Sequence, residues 1–341
     1  MSRGFRHKVG SLSAGQGVSL SSFWREMRFV RLILLLFLLA GVSMDMPAAE
    51  ATSRTSAEAA QQKKYAEHEG LTAHPVEIWA PTLPLIGKFP ITNSMIVTWI
   101  VALGLILFAQ RATRNMQEVP QGAQNFWEWL VEGLYSFLEG VIGHHLVRKT
   151  FWFFATVFIF ILFSNWLGLI PGFGTIGYGE KTSAGFRVTE PWFRGANADL
   201  NMTLAMALIF FACWLVWAVQ TNGPIGFLLH LFAPKGDTTG FLKVLMVFVF
   251  LVVGVLEVVS ILFRPVSLSF RLFGNIFAGE NMLEAMSNLV PGWIGRVIVP
   301  IPFYFMELLV GIVQALVFML LTAVFTLLIC EHDDEPGKAH H

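Results

Sequence analysis

Charge is scarce in this 341-residue chain: Asp, Glu, Lys and Arg make up 13% of it, where a soluble domain carries about a quarter. The formal net charge is zero, so the basic footprint expected of a nucleic-acid binder is missing. Two cysteines are present, Cys213 and Cys330. Both lie in apolar runs, where a free thiol behaves as a small hydrophobe, and no disulfide framework or metal-ligand spacing accompanies them. Neither G-x-S-x-G nor H-E-x-x-H occurs, which removes two common hydrolytic readings. Matching halves with interrupted helices, the mark of many secondary transporters, are also lacking. No catalytic residue, cofactor or metal is predicted.

Apolar residues are plentiful instead: 55% of the chain is hydrophobic, with 32 Phe, 11 Trp and a mean hydropathy of +0.62. This composition predicts an all-α polytopic membrane protein. About five membrane helices and one interfacial amphipathic helix are expected, the last two spans long and inclined.

Residues 1–26 are polar and basic, with Arg3, Arg6, Lys8 and Arg25 against the single acid Glu26. Arg28 and Arg31 then lead into an apolar run of 11 residues, Leu32 to Val42, followed by an A-x-A-like site at Ala49 and Ala51. A run this short falls below the about 20 residues a span needs, and the pattern is that of a secretory signal peptide cleaved after Ala51. An uncleaved anchor is the alternative, and Met27 is a plausible start. Residues 1–51 are therefore assigned to a basic leader and signal peptide, 52–92 to an exported polar arm, 93–332 to the membrane domain and 333–341 to a cytoplasmic tail.

The first span is centred on Met95 to Ala109, and Arg111 and Arg114 place its end in the cytoplasm by the positive-inside rule. Residues 115–150 alternate apolar and acidic positions at helical spacing and read as an amphipathic helix in the cytoplasmic interface. Within it, His144 and His145 point about 100° apart, so they are surface histidines rather than a metal pair. A second span runs from Phe151 to Ile170 and is stopped by Pro171 and Gly172. An external loop follows. Asp199 opens the third span, where a carboxylate caps the positive end of the helix dipole and can also serve a water-filled mouth. A loop from Thr221 to Thr239 leads to an apolar run of over forty residues from Phe241 onward, interrupted by Pro265. That length is roughly twice the bilayer thickness and demands an inclined or kinked helix. The final apolar segment, Ile301 to Cys330, is also overlong for an upright span.

An arginine, Arg271, sits inside the first of these long helices in SLSFRLFGNIFAGENMLE. Intramembrane arginine costs about 2.5–3.5 kcal/mol on insertion scales, so it marks a functional site by default. At about 100° per residue, Arg264 lies about 20° and Glu257 and Asn275 about 40° from Arg271, whereas Glu280 falls about 180° away. Glu307 and Gln314 share a face of the last helix, with Gly311 between them. Interhelical glue worth roughly 0.6–2 kcal/mol is the bland reading of Asn275 or Gln314 alone. One arginine with three carboxylates on two adjacent helices favours function.

The motifs PVSLSFRLFGNIFAGE, GLIPG, ADLNMTLAMAL and PFYFMELLVGIVQALVFMLLT occur in this order between Ile91 and His332. Together they resemble the membrane-embedded a subunit of the F-type ATP synthase. The resemblance implies a proton-translocating stator in a bacterial inner membrane, with partners in a c-subunit ring, a b-subunit stalk and the remaining Fo and F1 subunits. It places the essential arginine on Arg271 and its companion asparagine on Asn275. The polar positions of two aqueous half-channels fall on Glu257, Glu280, Glu307 and Gln314, with Asp199 as a further candidate. Arginine suits the role because a desolvated lysine can lose its proton.

Overall fold

The computed structural model describes residues 77–79, 82–83, 87–88, 91–117, 119–173, 176–182, 185–232, 241–290 and 292–330. The segments expected to form the leader and signal peptide, much of the expected polar arm, and the acidic tail lie outside these residues.

Two short antiparallel pairings precede the membrane helices: β1 (Glu77–Trp79) with β4 (Ile91–Thr92), and β2 (Thr82–Leu83) with β3 (Gly87–Lys88). Helix α1 (Asn93–Thr113) starts where Thr92 adopts extended geometry and its side chain accepts from the Met95 amide at 3.4 Å. Arg111 in its last turn complements the helix dipole. The chain then enters α2 (Ala123–Gly168), which breaks at Gly143. Gly143 has φ 76° and ψ 160°, a backbone region open in practice only to glycine. The amphipathic helix expected over 115–150 therefore ends at Gly143, and the following helical segment starts before Phe151. His144 lies at this corner and pairs with Glu139 at 2.8 Å on the exposed surface.

The connection between α2 and the next long helix holds an antiparallel hairpin, β5 (Gly177–Thr182) with β6 (Gly185–Pro191), which the reading of a plain loop missed. Its Gly- and Thr-rich sequence gave no clear apolar alternation. A 3-10 turn (Ala196–Ala198) leads into α3 (Leu200–Phe232). Asp199 caps this helix, accepting from the Asn201 amide at 2.9 Å. The loop expected from Thr221 is instead helical to Phe232, with a corner at Gly223 (φ 71°, ψ 162°). Pro224 follows that corner, where a missing N–H costs nothing and its fixed φ suits a new helical start.

Helix α4 (Phe241–Leu289) is 49 residues long and contains Pro265. The positive-φ breaks seen at Gly143 and Gly223 do not recur in it. At about 1.5 Å per residue it extends roughly 70 Å, so it cannot stand upright in a hydrocarbon layer about 30 Å thick. A short α5 (Trp293–Ile298) joins it to α6 (Ile301–Cys330). Five of the described helices are long and apolar enough to cross a membrane.

Packing divides these helices into a core and a periphery. α2 lies along α6, and α3 lies along α4. Phe153, Phe154, Phe160, Trp214 and Phe318 are fully or almost fully buried among them. Their rings meet edge to face, as in Phe153–Phe154 at 5.6 Å and Phe153–Trp217 at 5.7 Å, the arrangement that aligns ring edges with ring faces. The apolar window of α2 is 67% buried within the chain, whereas that of α4 is only 17% buried. α4 is thus a membrane helix with most of its apolar surface turned outward.

Candidate functional site

The unusual polar residues fall on two sides of α4. Arg271 and Asn275 are exposed on the outward side, one turn apart, beside Phe270 at 55% exposure. The described residues hold two ion pairs, His144–Glu139 and Arg194–Glu280, and Arg271 is in neither. The helical geometry thus separates Arg271 from Glu280 as the 180° offset requires.

Glu280 points inward, to a partner the sequence did not suggest. Arg194, just after the hairpin, places its Nε 3.3 Å from Glu280 Oε2. The two side chains are 6% and 15% exposed. Arg194 also lies 5.8 Å above the Phe277 ring, one turn before Glu280 on the same helix. Gly195 makes this contact possible: an added Cβ there would stand 2.6 Å from Glu280 Oε1.

Glu307, on α6, is buried and reaches across to α4 at Gly279, where any Cβ would collide with its carboxylate. Glu280 and Glu307 line one partly open cavity of about 30 Å³. Ser164, Asn165, Gly168 and Gly195 line the same cavity. It is polar enough and roomy enough to admit water.

Around the cavity, amides tie the helices together. Asn165 donates from Nδ2 to the Gly311 carbonyl at 3.1 Å and accepts from Asn197 Nδ2 at 2.7 Å. Beside it, the Ser94 hydroxyl donates to Asp199 Oδ2 at 2.7 Å, joining α1 to the start of α3. Thr203 and Ser269, both fully buried, are 3.0 Å apart between α3 and α4. Ser269 stands two residues before Arg271, so this bond fixes the helix face from which the arginine projects.

The remaining predicted positions lie elsewhere. Glu257 and Gln314 are half-buried and do not line the cavity. Asp199 is in the capping network rather than on the cavity wall. Arg264, about two turns before Arg271, packs over the Phe325 ring at 4.6 Å and near Trp214 at 5.9 Å. The Trp214 indole in turn donates to the Phe325 carbonyl at 3.0 Å. Arg264 thereby binds α4 to α3 and α6 through cation–π contact.

Arg194, Ser164, Asn165 and Asn197 were missed from sequence. A signal existed for two of them: Ser164 and Asn165 interrupt the apolar run of α2. Arg194 had none, because a lone arginine in a loop between spans reads as a solvated side chain.

A family model described as the ATP synthase A chain matches residues 95–326. The ATP synthase subunit a of Gloeobacter violaceus is 34% identical over 243 residues, covering 71% of this chain and 85% of that protein. The ATP synthase subunit a of Citrifermentans bemidjiense is 33% identical over 233 residues, 68% of this chain and 85% of the relative. That of Campylobacter jejuni subsp. doylei is 34% identical over 227 residues, 66% and 84% respectively. With the matched region spanning nearly all of the helical domain and both glutamates of the cavity, this chain belongs to the ATP synthase subunit a family, membrane subunits of the Fo sector that take part in proton transport.

Proposed function

We propose that this chain is the stator half of a proton path, with Arg271 as an electrostatic gate against a rotating ring of c subunits. One observation carries the reading: Arg271 projects from the outward, largely uncovered side of α4, away from the cavity that holds Glu280 and Glu307. An arginine facing lipid would be costly, so a neighbouring subunit with a carboxylate is the natural occupant of that side. Exposed Leu256, Phe263 and Phe270 give this neighbour an apolar face to roll on.

The chemistry follows from charge. A ring carboxyl crosses lipid only when neutral, since an ionised one is too costly there. Opposite Arg271 the anion is favoured, because a nearby cation lowers a carboxyl pKa by about 1–3 units, and the proton leaves. Arg271 stays charged throughout. Asn275, a turn away, supplies a neutral donor and acceptor on the same side. Glu280 and Glu307 bring protons through one half-channel, Glu257 and Gln314 serve polar positions along the paths, and Asp199 lies at a mouth. The fixed cation stops a proton passing straight from one path to the other. Each elementary charge crossing contributes about 2.3 kcal/mol per 100 mV, which drives rotation. The ion itself, H⁺ or Na⁺, is chosen by the ring carboxylate and its neighbours.

The same reading places the chain in a bacterial inner membrane, with residues 52–92 exported, 93–332 as the membrane domain and the C-terminus cytoplasmic. A b-subunit stalk and the remaining Fo and F1 subunits complete the assembly. A stand-alone channel could use the same charges, and co-isolation with a small carboxylate-bearing ring protein separates the two. The direct test is Arg271→Ala in the intact complex. ATP-driven proton pumping into sealed vesicles should be lost with assembly intact, and unimpaired pumping rejects the gate.

A further inference from the structure

We infer that the Ser164 hydroxyl holds a water that links Glu280 to Glu307, making Ser164 a positioning residue of the proton path. The inference deepens the proposed function and rests on it. Hydroxyls inside the described helices repeatedly bond to the carbonyl four residues back. Thr98 does so to Ser94 at 2.9 Å, Thr150 to Leu146 at 2.8 Å, Thr156 to Trp152 at 2.6 Å and Thr326 to Thr322 at 2.8 Å. Ser164 departs from this habit. Its side chain is fully buried, and its Oγ has no hydrogen-bond partner among the described residues. The residue lines the cavity that both carboxylates share.

A buried hydroxyl without a partner is destabilising, and an alanine or valine would fit a purely apolar helix face better. The hydroxyl can both donate and accept, which is what ordering a water between two acids requires. Such a water needs two to four polar partners, and Ser164, Glu280 and Glu307 supply three from three different helices. The neighbouring Asn165 is occupied, its amide committed to Gly311 and Asn197, so it does not compete. Arg194 engages Glu280 through its Nε at Oε2, and the serine is the group on α2 that fixes the water.

Proton passage is then a balanced exchange. The carboxylic acid of one glutamate gives its proton to the water, breaking one O–H bond and forming another. The water releases one of its own protons to the other carboxylate, again one O–H bond broken and one formed. Ser164 reorients its hydroxyl and carries no net charge at any point.

Native membrane vesicles with the whole complex provide the test, read as ATP-driven pumping and as passive proton conductance after F1 is stripped. Ser164→Ala should lower both roughly 5- to 10-fold with the complex present at normal amounts. Ser164→Thr should restore most of the loss, since it returns the hydroxyl. Ser164→Cys, close to serine in size but a weak hydrogen bonder, should behave like alanine. A packing role predicts the reverse order, with Cys tolerated best and the bulkier Thr worst; that order, or a wild-type rate in Ser164→Ala, overturns the inference. If Ser164→Ala does not assemble, the Thr-against-Cys order still decides. Arg271→Ala measured alongside separates the two ideas: pumping retained there removes the proposed function itself, whereas pumping lost there with no effect at Ser164 removes only the bridging water.

Discussion

Removing Arg194 should destabilise the fold more than removing any other loop side chain among the described residues. The guanidinium and the Glu280 carboxylate meet at 3.3 Å with 6% and 15% of their side chains exposed, so both ions are largely withdrawn from water. Breaking one partner of a buried pair costs about 3–5 kcal/mol because the other charge is stranded. Glu280, however, borders a cavity that admits water, and a stranded carboxylate can be rehydrated there. A charge-assisted hydrogen bond is worth about 1.5–3 kcal/mol, and the expected loss for Arg194→Gln is therefore about 2–3 kcal/mol. At 1.36 kcal/mol per factor of ten, this corresponds to roughly 30- to 150-fold faster thermal loss of the complex. The assay is the rate at which detergent-solubilised complex disappears from native gels on heating. Glu280→Gln alone should cost less, because a neutral amide leaves only the arginine to be rehydrated. The double variant should cost little more than Arg194→Gln. If the two effects instead add, with coupling under about 0.5 kcal/mol, the pair is not a functioning contact and the account of this site is wrong.

Two further outcomes follow from the packing. Asn165→Ala deletes the bonds to Gly311 and Asn197, though the Asn197 amide keeps the Ile161 carbonyl and Gly311 its place in the helix ladder, and should cost about 1–2 kcal/mol in the same heating assay; a loss within 0.5 kcal/mol would mean that the bridge is not formed. Gly279→Ala drives a methyl into the Glu307 carboxylate, the far end of a flexible side chain, and should displace that carboxylate, costing about 1 kcal/mol of stability and lowering passive proton conductance. Gly104→Ala, at a helical glycine with open space around it, should be neutral or slightly stabilising and serves as the control; equal effects at both sites would discount the steric argument.

Much of the fold was legible because the bilayer imposes simple arithmetic. Runs of about 20 apolar residues must be helices there, since every backbone polar group has to be satisfied within its own segment. The excess length of α4 and α6 was legible for the same reason, as was the cap at Asp199. Helix corners were harder. Gly223 carries a local turn signal in Asn222-Gly223-Pro224, but Gly143 is one of the chain's 30 glycines and nothing local marks its positive φ. The hairpin at 177–191 escaped because strands of mixed polar composition carry a weak period-two signal.

The sequence by itself determined that Arg271 and Asn275 lie on one side of a long apolar helix and Glu280 on the other, because helical periodicity is a local property needing no knowledge of neighbours. It also determined that these polar groups had to be bought with function or pairing, given the cost of charge in lipid. Tertiary structure alone decided which. It turned Arg271 outward, brought Arg194 from a loop 86 positions away onto Glu280, and set Glu307 against Gly279 in a common cavity with Ser164. Contacts between residues this far apart depend on how whole helices pack, and that packing is written in no single stretch of the chain.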